Sequence, residues 1–326
     1  MAMAIRFSPS VACLSATAAL VLAAVPAWAN DCCVTMSSSS SELTTLAGAS
    51  HAFAAPGRFL VQTGFNWRDV TGSFNERGAW TPKPRGSSLS TLQGLFGLTY
   101  FPSDAWSVGI QLPMAANRLH HAQWGALGAL GPLDDAYGTG PLSGGGLGDL
   151  ALQGSAVVYR GDGPWPSLAL WAGLVLPSGR SSGSPADFTG SGLVSGQLGL
   201  TLLKALGPWE LTAGLGYQRP MSRPAAGSST AFTIGQVATG QAQVSVELFS
   251  GWRVGMGASG YAGTLASADP AQADSQLGKL KLMPSVEWRF APTQGVRAAY
   301  GADPGTGPQL NAMSDQTLFL VYYRYF

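Results

Sequence analysis

Leu318-Phe319-Leu320-Val321-Tyr322-Tyr323-Arg324-Tyr325-Phe326 closes the sequence, and its reading decides the fold. It is an aromatic strand that stops on a phenylalanine. In a soluble protein such a strand is an open edge, ready to pair with other chains. A closed barrel in a bacterial outer membrane removes the edge, because the last strand pairs with the first and its apolar face meets lipid. Leu318, Leu320, Tyr322 and Phe326 then form the alternating signature of an assembly signal, with the barrel-assembly machinery and outer-membrane lipid as expected partners. Arg324 departs from the apolar residue usual at its place.

The other end agrees. Arg6 precedes an apolar, alanine-rich stretch from Val11 to Val25, and Ala27-Trp28-Ala29 supplies the small residues a signal peptidase needs. The apolar run is short for a span of roughly 20 residues. A cleaved secretory signal is therefore expected over 1–29, a periplasmic segment over 30–56 and a barrel over 57–326, in the outer membrane of a Gram-negative cell. Cys13 falls in the signal, which leaves Cys32 and Cys33 adjacent in the exported chain. Ala29-Asn30-Asp31 does not make a lipid-attachment box. Adjacent thiols in an oxidising compartment form a strained vicinal disulfide or cross-link to another chain. No further ligands are spaced near them, so no metal is expected.

Composition bounds the class. The chain of 326 residues has 44 glycines, 21 prolines, 11% charged residues and 10% aromatics, with a formal net charge of +1. That balance gives no electrostatic reason to bind nucleic acid. An apolar fraction of 46% is too high for disorder. No charged or low-complexity linker divides the chain after Ser37–Ser41, so one domain is the simplest count.

Period-2 alternation predicts an all-β protein, a transmembrane antiparallel β-barrel of about twelve strands. The strands start near Gly57, Ser88, Trp106, Leu147, Ser167, Ser191, Trp209, Gln236, Trp252, Gly278, Val296 and Gln316. Connections alternate in length. Short turns stand at Pro102-Ser103-Asp104, Gly207-Pro208 and Ser250-Gly251. Long ones stand at Asp69–Gly86, Asn117–Gly146, Gly179–Gly190, Pro220–Gly235, Thr264–Leu277 and Asp303–Asp315. Short periplasmic turns and long outer loops are the outer-membrane pattern. Trp106, Trp209 and Trp252 each follow a short turn, where an indole anchors at the lipid–water interface.

Parity sorts the faces. From Lys279 to Phe290 the charged residues share one parity and the large apolar residues are expected on the other. The same sorting places Gln62, Asn66, Arg68, Gln93, Gln111, Gln153, Gln197, Gln218, Gln241 and Gln243 on the lumen side. Glu210, Glu247, Arg253, Lys279, Lys281, Glu287, Arg289 and Arg297 join them. The lumen is thus expected to be polar, amide-rich and mixed in charge. About eight strands fill their own interior and sixteen leave an open channel, so twelve imply a narrow path or a closed interior.

Catalysis needs a nucleophile, a base and an orienting group. His51 precedes the first strand, and His120-His121 leads into the longest loop without a partner motif. Gly144-Gly145-Gly146-Leu147-Gly148 has no lysine or helix after it, so it reads as a loop-to-strand passage and not a phosphate cradle. Asp134-Asp135 is one acidic pair and points to no particular ligand. No catalytic residue and no cofactor is expected.

Gly146-Leu147-Gly148-Asp149-Leu150, then Gly173-Leu174-Val175-Leu176-Pro177-Ser178-Gly179, then Thr189-Gly190-Ser191 follow one another across two hairpins. This order resembles the outer-membrane transporter family labelled for the meta-cleavage pathway of phenol degradation, with Ser178 where that family has threonine. The resemblance is firmest from Gly146 to Tyr217. It implies passive uptake of small, often hydrophobic or aromatic solutes, with Asp149 accepting backbone hydrogen bonds at a loop base. The alternatives are a closed barrel that anchors or binds through its loops, and an outer-membrane lipid hydrolase.

Overall fold

Alternating residues give each strand one face for lipid and one for the interior, and such strands are satisfied in a membrane only when every backbone edge is paired. The computed structural model describes residues 57–74, 78–83, 85–120, 141–161, 163–180, 189–221, 232–267, 276–304 and 313–326. They form β1 (Arg58–Phe74), β2 (Trp80–Pro82), β3 (Ser88–Phe101), β4 (Trp106–His120), β5 (Leu142–Leu147), β6 (Leu150–Tyr159) and β7 (Ser167–Leu176). Then come β8 (Ser195–Leu206), β9 (Trp209–Pro220), β10 (Phe232–Phe249), β11 (Trp252–Ser267), β12 (Gln276–Ala291), β13 (Gln294–Ala302) and β14 (Met313–Tyr325). β2 is a short flap on β1, and β5 and β6 are two parts of one crossing, since both pair with β4. Twelve antiparallel crossings remain, each paired with its neighbour in sequence.

The terminal strand closes the sheet. β14 pairs with β1 from Leu60↔Tyr325 to Ser73↔Met313. The seam ends in two backbone hydrogen bonds, Phe326 N–H to Phe59 O at 2.8 Å and Phe59 N–H to Phe326 O at 3.3 Å. The tight turns rest on glycine: Gly207 has φ 61° and Gly251 φ 81°, where a Cβ is strained. The outer face is apolar, with Phe65, Leu198 and Leu318 half exposed, as side chains meant for lipid are.

Strand limits differ from the alternation in places. β10 begins at Phe232 and β14 at Met313, earlier than Gln236 and Gln316. β4 runs to His120 and pairs with β5, so Asn117–His120 and Leu142–Gly146 are ladder where a loop was expected. The backbone keeps pairing beyond the lipid, where no apolar face is required and alternation fades. β8 begins later, at Ser195 and not Ser191, because Ser191 is held by a side chain outside the ladder.

Candidate functional site: the barrel interior

One part of the interior is ionic. Asp315 on β14 is fully buried and gathers three cations. Arg68 Nε of β1 donates to its Oδ2 at 2.6 Å, Lys281 Nζ of β12 lies 2.8 Å from Oδ1, and Lys279 Nζ closes on Oδ2. Thr317 donates to Oδ1 at 2.8 Å and accepts from Lys281 at 2.9 Å. Asp303, just past β13, lies 3.7 Å from Lys279 and accepts the Asp315 N–H at 2.7 Å. Beside this cluster Asn66 donates to Gln93 at 3.2 Å. The acids are what make burial of the cations tolerable, because an unpaired ion in such surroundings costs several kcal/mol.

Nearer the ends that carry the short turns a second group forms. Arg253 Nη1 meets Glu210 at 2.8 Å and its Nη2 lies 3.8 Å from Glu247. Arg289 Nε pairs with Glu287, which also accepts from Tyr323 Oη at 2.7 Å. Arg297 reaches Ser285 Oγ at 3.5 Å. Between the two ionic groups lies an apolar belt of Leu95, Met283, Ala299, Phe319 and Val321, all at most 5% exposed. The belt corrects the expectation of a polar inner face: Met283 carries the parity of its charged neighbours, yet is a large apolar side chain, and it packs inward.

Away from the Arg253 ion pairs, the facing part from β6 to β11 carries mainly small side chains and amides, with Trp171 and the buried Tyr261 as its large residues. One cross-strand row reads Ser107, Ser155, Trp171, Gly199, Gly216, Thr239, Tyr261, Lys279. The six-membered ring of Trp171 lies over the two glycines. A Cβ on Gly199 would stand 2.4 Å from Trp171 Cζ2, and one on Gly216 would stand 3.1 Å from the same atom. Gln197 donates to Gln218 at 2.9 Å on one side of this row. Gln241, paired with Gly214, stands on the other, and Gln243 donates to Ser285 at 3.4 Å. Gln153 and Gln197 flank Gly173. Gln62 and Gln111 stand on either side of Gly97.

At the break between β5 and β6, Asp149 is a clamp. Its Oδ1 accepts from Gly179 N–H at 3.0 Å, and its Oδ2 from Ser191 N–H at 2.6 Å and Ser191 Oγ at 2.7 Å. Ser178 Oγ donates to Gly148 O at 2.8 Å and accepts the Leu150 N–H at 2.9 Å. Both are hydroxyl functions, so serine serves where threonine would. Thr189 Oγ1 donates to Leu147 O at 2.6 Å and accepts the Arg180 N–H at 3.0 Å. Glycine is required at 190, where a Cβ would stand 2.2 Å from Asp149 Oδ1.

Trp106, Trp209 and Trp252 are the first residues of β4, β9 and β11, and all three are exposed. Trp252 stacks on Trp288 with centroids 5.6 Å apart. Leu318, Leu320 and Phe326 point outward, and the Arg324 guanidinium lies over the Phe326 ring at 4.6 Å. His120 Nδ1 lies 3.1 Å from Gly86 O. His51, His121, Asp134, Asp135, Cys32, Cys33 and the signal stretch lie outside the described residues. Among the described residues no group of three or more His, Cys, Asp or Glu is placed to hold a metal. Sequence reasoning missed Asp303, Asp315, Thr317, Tyr323 and Trp171. For those on β14 the signal was present: Asp315, Thr317 and Tyr323 share the parity of Phe319, opposite to the lipid-facing Leu318 and Leu320.

One solved structure agrees with this architecture. The COG4313 outer membrane channel from Pseudomonas putida F1 has the same fold, with a TM-score of 0.65 at 16% identity over 84% of this chain and 97% of that one. The translocator domain of the autotransporter NalP from Neisseria meningitidis gives a TM-score of 0.45 at 11% identity, covering 90% of this chain and 98% of that one. The toluene transporter TodX of P. putida gives 0.43 at 12%, over 85% and 92%. No curated protein matches the chain. Residues 84–313 match the family described as "Putative MetA-pathway of phenol degradation", and with most of its length in that match the chain belongs to this family.

Proposed function

We propose that the protein is an outer-membrane conduit for passive uptake of small aromatic or other apolar solutes, and a transporter rather than an enzyme. The observation that carries this reading is the division of the interior. The Asp315 cluster and the apolar belt occupy the interior from β12 through β14 to β1, while the middle of β7 to β10, above the Glu210–Arg253 pair, presents mainly glycine, threonine and glutamine around Trp171. The path follows the second side, lined by Gln153, Gln197, Gln218, Gln241 and Gln243, and the paired ions and Gln62, Asn66, Gln93 and Gln111 form its opposite boundary. Family membership and the fold shared with an outer membrane channel support the reading. In the same reading the interfacial tryptophans hold the barrel in lipid, and the C-terminal strand is its assembly signal.

The test is swelling of proteoliposomes in solutions of small aromatic alcohols and of sugars of similar size. A conduit of this kind admits the aromatic solutes faster than empty liposomes do. Equal rates with and without protein contradict it. The second reading, a closed barrel that presents its loops, draws on the apolar belt, whose members are at most 5% exposed. A folded barrel that admits no solute but keeps a loop-bound partner is its signature.

A further inference from the structure

Trp171 stands apart from the other tryptophans described on the barrel strands. Trp67, Trp106, Trp209, Trp252 and Trp288 are exposed on the outer face, whereas Trp171 has the parity of Ala169, Gly173 and Val175 and projects inward. Its partner across β6 is Ser155, which shares a 2.6 Å hydroxyl contact with Ser107. Its partner across β8 is Gly199. The wall leaves room for the ring: Gly199 and Gly216 lie under Cζ2 and Cη2, and a side chain at either would collide with it. A large apolar ring is thus seated against a glycine floor, with Gln197 and Gln218 in the adjoining row on one side and Thr201, Gly214 and Gln241 on the other. A structural core residue is packed among apolar neighbours. Trp171 instead lies against two glycines on the wall side, with glutamines in the neighbouring rows, and it keeps partial exposure.

We propose that Trp171 is the stacking station that sets the preference of the lumen for planar aromatic solutes carrying one hydroxyl. The reading rests on the conduit proposed above and names its solute class. A ring held against the wall offers a fixed face for offset stacking, which adds about 0.5–1.5 kcal/mol beyond burial. The neighbouring amides supply a donor and an acceptor for the hydroxyl. A saturated ring of the same size gains the apolar contact without the stacking.

The test uses the refolded full-length protein in planar bilayers, with phenol and cyclohexanol as probes, and phenol admission by liposomes in parallel. The concentration of each probe that halves conductance is measured for wild type, Trp171→Ala, Trp171→Leu and the outward-facing control Trp288→Ala. Trp171→Leu keeps apolar bulk on the glycine floor, so it reports on stacking even if the alanine variant folds poorly. The expected result is a rise in the phenol value of about threefold to tenfold in both Trp171 variants, a smaller change for cyclohexanol, and no change in Trp288→Ala. If wild type admits phenol and its half-block is the same in Trp171→Leu, the station is wrong and the conduit stands. If wild-type liposomes admit no phenol, both fail together.

Discussion

The two sides of the interior solve the same problem in opposite ways. From β12 to β1 the inner face is filled with side chains that satisfy each other: Asp315 holds Arg68, Lys279 and Lys281, and Phe319, Met283 and Leu95 pack between the ionic groups. Across the middle of β7 to β10, above the Glu210–Arg253 pair, it is kept low, with Gly199, Gly216 and Thr239 in a row and Trp171 laid across it. The first arrangement fastens the seam where the terminal strand meets the first. The second is the side along which the proposed path runs. A barrel of twelve strands is too wide to be left empty without loss of packing and too narrow to be lined evenly with large side chains while keeping a path. The proposed division meets both demands by concentrating the bulk on one side.

Substitutions on each side break or sharpen this contrast. The largest effect is expected for Asp315→Ala, which takes from three buried cations the acid they share and costs about 3–5 kcal/mol. It is read as a fall in the denaturant midpoint of the heat-modifiable folded band. Next comes Asp149→Ala at the clamp beside β7, which removes charge-assisted hydrogen bonds to Gly179 and Ser191 and costs about 2–3 kcal/mol. Hydrogen exchange should speed up at the amides of Gly179 and Ser191 and stay unchanged at Phe319. Uniform acceleration would show that the clamp is not local. On the low side, Gly199→Ala sets a methyl 2.3 Å from Leu215 O and against Trp171, and the overpacking costs about 1–3 kcal/mol. A midpoint equal to wild type would mean the floor is not tight. Ser178→Thr keeps the hydroxyl and should fall within about 0.5 kcal/mol, whereas Ser178→Ala should cost about 1 kcal/mol.

Much of the barrel was legible because lipid enforces strict alternation. The twelve crossings, their order and the outward tryptophans follow from parity and turn residues alone. The clamp was partly legible: Asp149 was expected to accept backbone hydrogen bonds at a loop base, but its partner Ser191 was expected to start a strand, because alternation does not show that a side chain holds it outside the ladder. The interior was only half legible. Parity places Lys279, Lys281 and Arg68 on one face, but does not tell that a single aspartate from the far end of the sequence gathers them, because barrel closure brings β14 beside β1. Met283 escaped for a related reason. An apolar residue on the polar parity makes sense only when the neighbouring strands bring Leu95 and Phe319 to meet it. Trp171 was read past since an aromatic within an apolar strand passes for a lipid-facing one until Gly199 and Gly216 are seen beneath it.

The most direct test of the central claim, that solutes pass along the low side of a divided interior, is single-channel conductance of a Thr239→Cys variant before and after a charged methanethiosulfonate reagent, in a background with Cys32 and Cys33 changed to serine. Discrete steps that shrink on modification are the predicted result, because Thr239 stands in the row beside Gly216. A folded barrel that stays silent, or steps that the modification leaves untouched, would contradict the account.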